Sequence, residues 1–150
     1  MNRTLPRITV FILCAACVGG CANPAREAAF RHEEVAIYEA RQQAAVHCEP
    51  GVDCEAAWAL ARAFIKAHSV TRIVRADDMA IETALPHSFG FVYLAASKGQ
   101  ADDGRTLIRL KAMCRGMYDT AGEAGLLYST CAHSIVAIEA EFHAWMAARP

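Results

Sequence analysis

Seven cysteines and six histidines are the side chains of this 150-residue sequence best equipped for chemistry. A thiolate is a nucleophile and a soft metal ligand, and a nearby histidine can take its proton. Cys114 or Cys131 with His133 is therefore the candidate nucleophile and base. His47-Cys48 close to Cys54, and the run Met113-Cys114-Arg115-Gly116-Met117, offer soft ligands of the kind that suit Cu(I). For Cys48 and Cys54 dithiol exchange fails on spacing, because five residues separate them where Cys-x-x-Cys allows two. No Gly-x-Ser-x-Gly, His-Glu-x-x-His or Gly-rich phosphate loop occurs. The acidic pairs Asp77-Asp78 and Asp102-Asp103 fall in turn-like segments, where aspartate bonds its own backbone. His68 and His87 fall near element ends, which favours surface or capping roles. The sequence therefore assigns no catalytic residue and no metal site. Fifteen basic against 16 acidic side chains also exclude a broad cationic face for nucleic acid, and 55% hydrophobic residues argue against disorder.

The first three cysteines belong to a different context. Met1 to Arg7 carries Arg3 and Arg7 and no acid, and Ile8 to Val18 is uncharged and apolar but for Thr9. That is the layout of a secretory signal, with an h-region shorter than the roughly 20 residues of a membrane-spanning helix. Val18-Gly19-Gly20-Cys21 follows, and it resembles the lipobox of bacterial lipoproteins. The resemblance implies cleavage before Cys21, residues 1–20 as signal, and a covalent lipid on the Cys21 thiol and new amino group as the only prosthetic group. Several acyl chains hold a protein durably on a bilayer where one holds it marginally, at about 0.8 kcal/mol per buried CH₂. Ala22 follows the lipidated residue where inner-membrane lipoproteins commonly carry Asp, which implies the outer membrane, facing the periplasm. Loss of Arg3 and Arg7 leaves 13 basic residues against 16 acidic ones, so the mature chain is mildly acidic.

The elements that would position the remaining residues read as α-α-β-β-β-β-α. Phe30, Ile37 and Ala44 recur at helical spacing between about Ala25 and Val46. The stripe is rich in alanine, which suits a spacer or partner-binding helix more than a core one; residues 21–47 thus form an anchor and N-terminal helix. His47 to Cys54 reads as a turn around Pro50-Gly51, with Asp53 capping a core helix from Cys54 to about His68. Four strands follow as an antiparallel meander with one solvated face: Val70 to Val74, Met79 to Thr83, Phe89 to Ala96 and Arg105 to Met113. The fourth alternates most clearly, with Thr106, Ile108, Leu110 and Ala112 opposite Arg105, Leu107, Arg109 and Lys111. Gly116, Gly122 and Gly125 mark a loop. A helix from about Leu126 to Ala148 then carries the stripe Leu127, Cys131, Ile135, Ile138, Phe142 and Trp145, suited to covering the sheet. Residues 48–150 are expected as an α+β domain with its helices on one sheet face.

In an oxidising compartment Cys48, Cys54, Cys114 and Cys131 make two disulfides most simply. Local pairs, Cys48 with Cys54 and Cys114 with Cys131, are favoured, and Cys54 with Cys131 is the rival. Cys54-x-x-x-Trp58, the short strands and Cys114-x-x-Met117-Tyr118 resemble small proteobacterial outer-membrane lipoproteins of unassigned function, which carry no active residues to transfer. The expectation is a non-enzymatic binding or envelope-assembly module, held to the membrane by its lipid and meeting a protein of the envelope. A periplasmic metal or stress sensor using Cys, Met and His ligands is the alternative.

Overall fold

The computed structural model describes residues 23–49 and 51–148, so the signal segment and Cys21 lie outside the described residues. Helix α1 (Pro24–Gln43) starts where Asn23 accepts the Ala25 N–H at 3.1 Å and Pro24 supplies a preset φ in the first turn. It stops short of the expected Val46, because Ala45–Cys48 is a strand, β1. Helix α2 (Val52–His68) begins at Gly51, whose φ is +94°, and not at Asp53. Asp53 lies in its first turn and accepts the Glu49 N–H at 2.9 Å, closing the turn from below.

Four further strands follow: β2 (Ile73–Ala76), β3 (Ala80–Thr83), β4 (Val92–Gln100) and β5 (Thr106–Cys114). Asp77 makes the β2–β3 turn by accepting the N–H groups of Met79 and Ala80, each at 2.9 Å. β4 begins later than the expected Phe89, because Gly90 takes φ +83° and breaks the extended run. Helix α3 (Tyr128–Ala147) closes the chain.

The sheet therefore has five strands, not four, in the order β1-β5-β4-β3-β2, and every neighbouring pair is antiparallel. β2 to β5 form the meander, while β1, from the start of the domain, lies on the free edge of β5 with Ala45 opposite Arg109 and Cys48 opposite Thr106. Val46 turns toward the core and His47 toward solvent, so four residues are enough to earn a strand once that edge is present.

All three helices cover one face. Ile81, Leu94, Ile108 and Leu110 from the sheet meet Phe64 and Ile65 of α2 and Ile135 and Phe142 of α3, all essentially inaccessible. Ala57 and Ala61 let α2 approach closely, since a methyl group keeps the backbone near its neighbour. The opposite face carries exposed Glu82, Ser97, Arg109 and Lys111 and is solvated. α1 is not a detached spacer. It packs along α3 with Ile37, Ala40 and Ala44 buried, and small alanines allow the close approach that a bulkier stripe would prevent. No described helix is long and apolar enough to cross a membrane.

Candidate functional site

The pairs joining α1 to α3 run Phe30 with Tyr128, Glu33 with Ser129, Arg41 with Glu139 and Gln43 with His143, so the two helices are parallel and begin at the same end of the domain. The start of β4 and the end of β5 lie there too. Two connections, residues 84–91 and 115–127, are folded together at this end. Gly90 donates its N–H to the Arg115 carbonyl at 2.8 Å, and Arg115 donates its own to the Phe91 carbonyl at 3.1 Å. The Arg115 guanidinium also donates to the carbonyls of Pro86 and His87 and rests 5.1 Å from the centre of the Phe89 ring.

Gly116 is required by this arrangement. Its φ is +78°, and a Cβ there would stand 2.7 Å from Cδ1 of Phe89. The ring is thus seated on bare backbone and held outward, 65% exposed. Beside it are Tyr118, half exposed, and Leu126, fully exposed, around a shallow apolar hollow of about 700 Å³ floored by Leu127 and Gly125. Leu126 was expected inside the last helix; it precedes the helix and faces out, because Leu127 occupies the N-cap position.

Glu34 on α1 holds this end to the body of the domain, accepting hydrogen bonds from the hydroxyls of Tyr118 and Tyr128. Burial, and then the Glu34 carboxylate, push the Tyr118 phenol up to about 12 and the Tyr128 phenol higher still. Both stay protonated at neutral pH, so they are donors and not nucleophiles.

A second polar group is buried where β1 gives out. Leu110 still donates to the Ala44 carbonyl at 3.0 Å, but at Ala112 the outer edge of β5 has no strand beside it among the described residues. Two side chains replace the strand: Glu139 accepts the Ala112 N–H at 2.9 Å, and Arg41 donates to the Ala112 carbonyl at 3.3 Å. The two side chains are 3.5 Å apart. Glu139 is inaccessible and its Oε2 has no hydrogen-bond partner, and burial pushes its carboxyl up to about 7 against the pull of the Ala112 N–H and Arg41. Its task is to cap a sheet edge. The sequence signal was present, since Glu139 stands four residues after Ile135 and three before Phe142, an acid within an apolar stripe.

The candidate cysteines pair as sequence neighbours. Cys48 is bonded to Cys54 and Cys114 to Cys131, with Cα separations of 5.1 and 5.6 Å. Each bridge ties the end of a strand to the first turn of a helix. The nucleophile pair suggested by Cys114, Cys131 and His133 is overturned, because the two sulfurs are bonded to each other and the exposed His133 ring directs Nδ1 to the Ser129 carbonyl at 2.8 Å. His68 stacks on Phe64 at 4.1 Å, His47 sits on the solvated face, and Met117 is buried. Among the described residues, no three His, Cys, Asp or Glu side chains converge as a metal site would need. The Asp pairs are turn residues as expected, Asp103 accepting from both the backbone and the guanidinium of Arg105.

One further concavity, about 600 Å³, lies on the outer side of α2, where Trp58 donates to the Asp77 carbonyl at 3.0 Å beneath Lys98, with Arg62 and Lys66 balanced by Glu55 and Asp78. No family model, curated protein or solved structure matches the chain.

Proposed function

We propose that this protein is an outer-membrane lipoprotein, acylated on Cys21, whose α+β domain works in the periplasm as a non-enzymatic binding or assembly module. The observation that carries the reading is Val18-Gly19-Gly20-Cys21 placed two residues ahead of a domain whose four other cysteines are all spent in disulfides. Paired cysteines suit an oxidising compartment and leave no thiolate for a soft-metal sensor. Ala22, in place of the inner-membrane Asp, supports the outer membrane as the destination.

Intact-mass measurement of protein extracted from membranes tests the anchor. The expected chain begins at a Cys21 carrying diacylglycerol and an N-acyl group, and a chain beginning at unmodified Ala22 sinks the reading. Cys21→Ala is expected to accumulate as unprocessed precursor; normal processing and membrane retention count against it. Free-thiol titration of the exported protein should find none, whereas four reactive thiols with bound copper or zinc would favour the sensor. Cross-linking in intact envelopes followed by purification identifies the protein the module meets.

A further inference from the structure

The end of the domain that carries Phe89 and Leu126 is also the end from which the anchor departs. Arg26 and Phe30, in the first two turns of α1, share a hollow with Ala124, Leu126 and Tyr128. Asn23, at the head of the same helix, shares another with Asp119 and Glu123. From Asn23 back to Cys21 is two residues, a reach of at most about 7 Å however the chain runs. An acylated Cys21 therefore leaves no slack to let the domain turn its other surfaces to the bilayer, and this end must lie at the membrane interface.

What it presents there is apolar. Leu126 is fully exposed, Phe89 is 65% and Tyr118 46% exposed, with Leu85 and Phe91 exposed on the adjoining connection. Contiguous apolar surface of this kind is uncommon on a monomer unless something covers it. Nor is it accidental: Gly116 makes the seat and Arg115 the clamp that hold the Phe89 ring outward. An aliphatic tip flanked by aromatic rings, one with a phenol at its edge, matches the headgroup-to-acyl boundary, where one side of a ring is dry and the other wet.

The geometry points to a lipid contact: Leu126 and Phe89, with Tyr118 at their margin, enter the leaflet that holds the acyl chains of Cys21. This rests on the anchor reading and adds a second attachment to it. The short tether holds this end at the bilayer, and the apolar tip beside it fixes the tilt. At this end Arg26, Arg31 and Arg115 stand among Glu27, Glu33, Glu34, Asp119 and Glu123, so the surroundings are mildly acidic. The contact is apolar and requires no anionic lipid.

The test uses the acylated full-length mature protein in phosphatidylcholine vesicles, with and without bromine on the acyl chains, comparing the parent with Leu126→Trp. The native tryptophans are distant reporters: Trp145 is near the far end of α3, about 25 Å along the helix from Tyr128, and Trp58 lies against Lys98 toward the far end of β4. The emission added by the new tryptophan should fall by more than about half in brominated vesicles while the parent's is unchanged, a contrast that follows from burial only 5–10 Å into the interface. Unquenched emission from vesicle-bound, acylated protein overturns the tip contact and leaves the anchor standing. Absence of acyl mass on Cys21 overturns the anchor and the tip with it. Emission that shifts to the blue with protein density but is not quenched by bromine assigns the tip to a second copy, which also overturns the proposal.

Hydrogen exchange on the unsubstituted protein guards against a variant that misfolds. Moving from detergent-free nanodiscs with a long Gly-Ser insert between Cys21 and Asn23 to the native spacing, amides 87–91 and 117–127 should slow at least about threefold, with the 101–105 turn unchanged as the internal reference. Equal rates in these two segments at the lengthened and the native spacing overturn it.

Discussion

The Glu139 carboxyl gives the sharpest stability test. Its ordinary value of 4.5 is raised to about 7 by burial, a shift only partly opposed by the Ala112 N–H and by Arg41. The native protein therefore keeps a proton that the unfolded chain releases between those two values. Stability is greatest below the lower one, falls as pH rises through the window, and levels off above it. At 1.36 kcal/mol per pKa unit the whole fall is about 3 kcal/mol. Glu139→Gln retains an oxygen to accept the Ala112 N–H and has nothing to titrate. Urea unfolding of both proteins, with disulfides intact, should show their stability difference changing by about 3 kcal/mol between about pH 4 and pH 8, in favour of the glutamine variant at the alkaline end. With a urea slope of about 1–3 kcal/mol per molar, the relative midpoints move by at least about 1 M. Because the two chains share every other titrating group, the difference isolates this one. A difference that stays constant across the range, within about 0.5 kcal/mol, refutes the reasoning: the carboxylate would then be ionised throughout, held by Arg41 or by water.

Three further outcomes follow from the packing. Replacing Cys48 and Cys54 by Ser should cost about 2 kcal/mol and replacing Cys114 and Cys131 about 3, since the bridges close loops with sequence separations of 6 and 17; urea midpoints give the order. Thr83→Val should cost about 1–3 kcal/mol in thermal unfolding, because the Thr83 hydroxyl both donates to the Leu94 carbonyl at 3.0 Å and accepts its N–H at 2.9 Å in the core. Gly116→Ala should cost about 1–3 kcal/mol, through a left-handed φ and a methyl group set against Phe89, whereas Gly122→Ala, with the same φ and open space around it, should show only the backbone part.

The elements whose burial is decided locally could be read from the residues. β5 alternates so regularly that its inward set, Ile108, Leu110 and Ala112, is visible at a glance, and all three are inaccessible. β1 is divided between a helix and a turn in the sequence reading because Ala45 to Cys48 carries no strand signal of its own; the edge of β5, some sixty residues later, makes it a strand. Glu139 stands out as an acid within an apolar stripe, but its task and its partner Arg41 do not, since the place where a sheet edge runs out of partners is a tertiary fact. Phe89 and Leu126 misled in the opposite sense. Their hydrophobicity suggests the start of a strand for Phe89 and the start of the last helix for Leu126, whereas two connections fold against each other and turn both side chains out.

The two disulfides do not cross, and neither encloses the other: the first is complete by Cys54, and the second begins only at Cys114. A chain that enters an oxidising compartment N-terminus first presents its cysteines in that same order. Joining each of these four cysteines to the last one still free yields the observed pairs without reshuffling. Pairs made in that order need an oxidant and no rearrangement by a disulfide isomerase.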